Sequence, residues 1–271
     1  MEFMVLRRAN QSTERGDQPP ALEPGVFLRP SDSAVRLTRR DGQWQQSIGP
    51  YSHKELVAGF MLVEASSRRD VIEQVRWWPL FDAGAVYEIR DLSGPATGSY
   101  SSFDERGTLS GVLPQRDPQL TRYVIFLRAD NASEINLTHT PEAIERIDRH
   151  HEAGVRAGVV LSACALLGSA TATRVHFANA KTTLVEGPFG EPRELVAGYV
   201  IVQAASLEDA LAWAKAYPYL QSGELTVEIR EACERLEHRE FTPEMRAAEE
   251  RLRAEMLADT LREALAKRSR S

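Results

Sequence analysis

Cysteine is almost absent from this 271-residue sequence. Cys164 and Cys233 are too few for a disulfide framework, have no metal-type spacing, and suit a reducing compartment. Long apolar runs are missing as well. None approaches the roughly 20 residues that cross a bilayer, and residues 1–8 are too short and too charged a stretch for a secretory signal. The expectation is a cytoplasmic protein without a membrane partner. Dense positive charge is also lacking: the formal net charge is −6, and residues 267–270 form the one basic run, read as a solvated helix end. Phosphate neutralisation needs a concentrated basic face, so nucleic acid is not an expected partner. The six histidines, at 53, 139, 150, 151, 176 and 238, match no metal-ligand spacing. The glycines form no dinucleotide fingerprint, P-loop or nucleophile elbow. No metal or nucleotide cofactor is expected.

What the sequence does contain is a repeat. Lys54-Glu55-Leu56-Val57-Ala58-Gly59-Phe60 returns as Arg193-Glu194-Leu195-Val196-Ala197-Gly198-Tyr199. The same offset carries Ser67, Asp70, Pro79 and Gly84 onto Ser206, Asp209, Pro218 and Gly223. After a one-residue slip, Glu88-Ile89-Arg90 meets Glu228-Ile229-Arg230. Upstream, Gly49-Pro50-Tyr51 matches Gly187-Pro188-Phe189, and Arg8-Ala9-Asn10 matches Arg128-Ala129-Asp130. Such an ordered series of matches marks two divergent copies of one domain.

The second copy is the easier to read. Residues 123–127 form an apolar run of strand type. Thr140 followed by Pro141 starts a helix, whose stripe Ile144, Ile147, His151 and Val155 ends near Gly158. Residues 159–161 and 174–177 read as strands, with 182–185 returning as a hairpin partner and 196–203 as a central strand. Ser206 caps a second helix over 207–216, stopped by Pro218, and 225–230 is the last strand. The order is that of an α+β layer with helices on one face of an antiparallel sheet. The other face is apolar and needs a partner, which the other copy can supply.

The first copy keeps the hairpin 34–38 and 44–48 around Asp41-Gly42. Between Asn10 and Gly25, however, prolines and glycine replace the first helix. Residues 93–119, rich in Gly, Ser and Pro, read as a linker that can lie as an arm over the other copy. Thr242-Pro243-Glu244 opens a C-terminal helix to about Lys267, with an apolar stripe from Met245 to Leu265. The division expected is a degenerate domain over 1–92, a linker over 93–119, a full domain over 120–235 and the helix over 240–268.

The segment Val185-Glu186-Gly187-Pro188-Phe189-Gly190-Glu191-Pro192-Arg193-Glu194-Leu195-Val196-Ala197-Gly198-Tyr199 resembles the YCII-related family in its DGPF subgroup, which typically reads TDGPFAETKELIAGY there. Further likeness runs through residues 206–213, 227–230 and 241–254, and more faintly through 1–92. The resemblance implies an α+β fold of tandem ferredoxin-like domains, of dimeric α+β barrel type. The two copies would form an internal pseudo-dimer, with a homodimer of chains left open. It also implies hints of chemistry: a proposed His–Asp pair and a dehydrochlorinase-type lyase. Here the motif Asp is Glu186 in the second copy and Ile48 in the first, and another acidic position aligns with Cys164.

Candidate catalytic residues are Glu186 and His151. Glu186 stands at a strand end before a Gly-Pro break, where a carboxylate can face the barrel mouth. The competing reading is a solvated Glu, or one paired with Arg174 across the hairpin. His151 titrates near neutrality and could act as a base; alternatively it is a hydrogen-bonded core histidine, with His150 and Asp148 at the surface. Cys164, Arg174, Ser162 and Tyr199 are candidate ligand-lining residues, though each is also explained by packing. Trp77, Trp78 and Trp213 sit on the second helices, and at least one should be buried between copies. The functions expected are a cofactor-independent lyase, isomerase or cyclase acting on a small molecule by acid–base chemistry, or a non-catalytic ligand-binding or assembly module.

Overall fold

The computed structural model describes residues 1–15, 25–76, 84–93, 117–135, 140–178, 181–191, 194–220 and 223–233, with backbone alone at 101–103 and 109–111. Met1–Cys233 forms one compact unit. The C-terminal helix expected over 240–268 and the Trp77-Trp78 pair lie outside the described residues. No helix among the described residues is long and apolar enough to cross a membrane.

The first half lays down β1 (Glu2–Arg8), α1 (Gln11–Arg15), β2 (Val26–Leu28), the hairpin β3 (Val35–Arg40) and β4 (Gln43–Ile48), β5 (Val57–Glu64), α2 (Arg68–Val75) and β6 (Val86–Asp91). Two short strands follow, β7 (Ser101–Phe103) and β8 (Leu109–Gly111). The second half repeats the order. It has β9 (Thr121–Arg128), α3 (Asn131–Glu134), α4 (Pro141–Arg156), β10 (Val160–Ala165), the hairpin β11 (Thr173–Ala178) and β12 (Lys181–Glu186), β13 (Val196–Ala204), α5 (Leu207–Ala216) and β14 (Leu225–Cys233). The segment from Gly16 to Pro24, where the first half is expected to lack its first helix, lies outside the described residues. The linker is not wholly structureless. β7 pairs in parallel with β5 of its own half, at Glu64 and Ser102, so the expected arm over the other copy is not what is seen there.

Local signals place the helices. Ser67 and Ser206 accept hydrogen bonds from the backbone of Asp70 and Asp209, and Thr140 from Ala143. Asp41 and Gly42, both at positive φ, make the turn of the β3–β4 hairpin. On α4 the buried line runs through His151 and Gly154, while Ile144 and Val155 are exposed. The predicted stripe is therefore rotated, and His150, expected at the surface, is half-buried.

The strands form one continuous sheet in the order β10-β13-β9-β14-β2-β5-β1-β6-β11-β12, with β3 and β4 branching from β14. Each hairpin crosses over. β3, from the first half, pairs antiparallel with β14 from Leu225↔Arg39 to Ile229↔Val35. β11, from the second half, pairs with β6 from Thr173↔Ile89 to His176↔Val86. The sheet also curls back on itself: β14 meets β2 at Ala232↔Leu28, and Leu92 bridges to Leu166.

Three apolar layers result. The inner one joins Met4, Leu6 and Phe60 of the first half to Val124, Phe126, Leu161, Tyr199 and Ile201 of the second. Phe60 lies edge-on to Phe126 at 5.8 Å and tilted to Tyr199 at 5.2 Å. This is the apolar face each half would expose if alone. Each such side chain removed from water contributes roughly 1.5–3 kcal/mol. Outer layers lie beneath the helices: one holds Ala210, Leu211 and Ala214 of α5, the other Val71 and Val75 of α2. Val35 and Leu37 belong to the layer of the second half, and Val175 to that of the first.

Candidate functional site

Two matching polar clusters are buried where the hairpins cross between the halves. In the first, Glu228 of β14 is fully buried. It faces Arg128, whose Nη2 donates to its Oε2, Arg36, whose Nε donates to the same oxygen at 2.8 Å, and Arg230 at 3.4 Å. Burial would raise this carboxyl, yet Arg128, Arg230 and Arg36 hold its pKa at about 2. In the second cluster Glu88 of β6, also fully buried, meets Arg90 at 3.1 Å and Arg174 at 2.9 Å. Against its burial, the charges of Arg8, Arg174 and Arg90 again depress its pKa.

The resemblance extends to the rims. Arg36 stacks over Tyr51 with 4.0 Å to the ring centroid, and Arg174 over Phe189 with 3.9 Å. Arg128 donates to the Glu55 carbonyl at 2.6 Å, and Arg8 to the Glu194 carbonyl at 2.8 Å. Glu14 accepts from Ser31 N at 2.8 Å and lies 3.4 Å from Arg230; Glu134 accepts from Ser169 N at 2.9 Å and lies 3.6 Å from Arg90. Gly49-Pro50 and Gly187-Pro188 are both cis. A Cβ on Gly49 would stand 1.7 Å from the Ser31 carbonyl oxygen, and one on Gly187 1.8 Å from that of Ser169, so only glycine fits either turn.

The candidates named from sequence are distributed over three places. Ser162, Tyr199 and Cys164 come together on the β10–β13 pair. Ser162 Oγ and the Tyr199 hydroxyl are 3.0 Å apart, both buried, and Cys164, opposite Tyr199, packs against the inner layer. The Cys164 thiol donates to the Ala165 carbonyl at 3.1 Å; burial, aided by Glu2, pushes its pKa up to about 12, against nucleophilic use. Arg174 lies in the Glu88 cluster. It does not reach across the hairpin to Glu186, because Arg174 is in register with Val185. Glu186, at the end of β12, is exposed and accepts from Thr173 Oγ1 at 2.8 Å.

His151 lies on α4, buried, with Nε2 2.9 Å from the Tyr217 hydroxyl. Burial, helped by His150 and opposed by Asp148, lowers its pKa. An aromatic group surrounds it: His150, Trp213 and Tyr217 pack ring to ring at 5.2–5.4 Å, and Tyr217 continues to Tyr219 at 4.7 Å. Trp213 is thus half-buried in the helical layer rather than between the halves. Glu186 and His151 share no contact among the described residues.

The residues that sequence reasoning passed over are Glu88, Glu228 and the arginines around them. The signal lies in the matched segments: Glu-Ile-Arg recurs inside β6 and β14, where a buried charge requires a partner.

Residues 121–232 match the family model of the YCII-related domain. The match implies a ferredoxin-like fold of dimeric α+β barrel type for that portion of the chain. No curated protein matches the chain.

Proposed function

We propose that the chain is an internal pseudo-dimer of two YCII-like domains, the second of the DGPF type. In this reading it serves as a non-catalytic ligand-binding module for a small molecule. The observation that carries this is the separation of the acid–base candidates. Glu186 is solvated and held by Thr173, whereas His151 is buried on the inner side of α4 against Tyr217. A general acid–base pair must reach the same reacting atoms, and these two share no partner. The buried carboxylates do not supply a substitute, since Glu88 and Glu228 are each neutralised by arginines and held ionised.

The alternative, a cofactor-independent lyase, isomerase or cyclase, makes a different prediction. Such an enzyme moves a proton next to a carbonyl. In D2O, a panel of small 2-oxo acids and enones incubated with the protein and followed by proton NMR reports α-proton exchange. The binding module leaves exchange at the buffer rate while saturation-transfer signals reveal bound compounds. Accelerated exchange that is lost in Glu186→Gln or His151→Gln, with the fold intact, overturns the reading.

A further inference from the structure

The two buried clusters differ at one point, and that point has the chemistry of a ligand site. Around Glu228, three arginines (Arg36, Arg128 and Arg230) meet three carboxylates, those of Glu14, Glu55 and Glu228. The Glu55 carboxylate sits on Arg36 Nη1 at 2.6 Å, completing a guanidinium whose Nε is already on Glu228. Around Glu88, the arginines Arg8, Arg90 and Arg174 meet the carboxylates of Glu88 and Glu134. Glu194, the repeat counterpart of Glu55, gives Arg8 its carbonyl and acts on Arg8 by its charge, but its carboxylate makes no hydrogen bond or ion pair with Arg174 among the described residues. Arg174 donates through Nε to one oxygen of Glu88; its buried Nη2 stands 2.9 Å from that same oxygen without a hydrogen bond, and its Nη1 has no partner among the described residues. Its side chain keeps 19% of its surface, as Arg36 does with 17%, so this edge is reachable from solvent.

We infer that Arg174 Nη1 binds the carboxylate of a small anionic ligand, at the place Glu55 fills in the other half. This deepens the ligand-binding reading and rests on it. Three features suit that role. The guanidinium plane is fixed by stacking on Phe189 and by Glu88, so little freedom is lost when an anion docks. A charged guanidinium N–H makes a shorter and stronger hydrogen bond to a carboxylate oxygen than a neutral donor does. The contact oxygen also takes the place on Arg174 that the Glu55 carboxylate takes on Arg36, a place that no carboxylate fills among the described residues.

The test is an NMR titration of the whole protein with acetate, and separately with inorganic phosphate, at low chloride, following the arginine Nε–Hε signals. Wild type is expected to bind one equivalent, with shifts centred on Arg174 and acetate favoured over phosphate. Arg174→Gln should weaken binding at least tenfold. Glu55→Gln should open a second site, raising the stoichiometry from one to two, with new shifts at Arg36. Because Arg174→Gln also uncovers Glu88, the wild-type shift map and Glu55→Gln serve as tests that keep the cluster charge-paired. The inference is overturned if no shift centres on Arg174, if Glu55→Gln adds no site, if phosphate is preferred, or if acetate binds only in Glu194→Gln, which would mean Glu194 fills the position itself. Any of these failures leaves the non-catalytic reading to the exchange assay; accelerated exchange would overturn that reading while leaving an anion at Arg174 in place.

Discussion

Arg36, from the first half of the chain, donates through Nε at 2.8 Å to Glu228 in the last strand of the second half. Its counterpart Arg174 makes the reverse crossing to Glu88 at 2.9 Å. The halves are therefore tied by reciprocal ion pairs as well as by the apolar layer between them. Removing one partner of a buried pair leaves the other charges uncompensated, typically at a cost of about 3–5 kcal/mol. Glu228→Ala is expected to lower the unfolding free energy measured in urea by that amount, and more than Glu186→Ala, whose side chain is exposed. Equal effects of the two variants would contradict the cluster's structural weight.

Acid should act through the same carboxylates. The folded pKa of Glu228, at about 2, lies below its ordinary 4.5. Its contribution is fully present above pH 4.5 and is lost as pH falls toward 2. For a shift of this size the linked stability is on the order of 3 kcal/mol. Glu88 is displaced in the same direction. Denaturation midpoints measured from pH 5 to pH 2 should fall steeply in wild type and less in Glu228→Gln, which has nothing left to protonate there.

The crossed hairpins also predict where apolar damage will be felt. Leu37 belongs to the first half by sequence but is fully buried beneath α5 of the second. Leu37→Ala should cost about 2–5 kcal/mol. In hydrogen exchange, the protection lost should appear in β14 and α5 before β1 or β6. Loss confined to the first half would refute the crossover.

Much of this architecture could be read from the residues. Thr140 and Ser206 cap the helices expected of them, Asp41-Gly42 turns its hairpin, and matched repeat residues occupy matched strands. Periodicity reports only neighbours a few positions apart, so it could not say which sheet each hairpin joins. That choice depends on pairings such as Arg36↔Glu228, 192 residues apart. The site suffered for the same reason. Glu186 stands out beside Gly187-Pro188 but is solvated, while Glu88 and Glu228 were visible only as repeat matches inside ordinary-looking strands. The stripe on α4 was misplaced because Ile144 and Val155 suggested burial, although His150 and His151 pack on Tyr217.

Gly187 offers a sterically defined test. A methyl group there meets a backbone oxygen, that of Ser169, which cannot rotate away as a side chain can. Gly187→Ala should destabilise the protein by about 2 kcal/mol or more, and Gly49→Ala similarly against Ser31. Gly190→Ala, with nothing within 4 Å, is the matched control and should leave the thermal midpoint nearly unchanged. A Gly187→Ala protein as stable as that control would show that the turn can open.

Cys164 should react slowly. With its thiol raised to about 12 by burial and Glu2, almost none is thiolate at pH 8, and the thiolate is the nucleophile. Iodoacetamide labelling of Cys164, resolved from Cys233 by peptide mass, should lag a free thiol by more than tenfold. Rapid alkylation of the folded protein would make Cys164 a candidate nucleophile.

The histidines set a second pH dependence, opposite in kind to that of an ion-paired histidine. Burial, His150 and, in the other direction, Asp148 leave His151 with a folded pKa below 6.5, and His150 and His176 are displaced the same way. A base with a lowered pKa stays neutral in the fold while the unfolded chain takes up the proton. Stability is therefore full above pH 6.5 and declines as pH drops below it, until the folded histidines protonate too. His151→Gln should make this decline shallower without abolishing it, because two other histidines contribute. Tyr217→Phe removes the 2.9 Å hydrogen bond to His151 and should cost about 1 kcal/mol at pH 8. If stability instead rose on acidification from pH 7 to pH 5.5, His151 would be holding a proton in the fold. The aromatic group around it would then be a cation site.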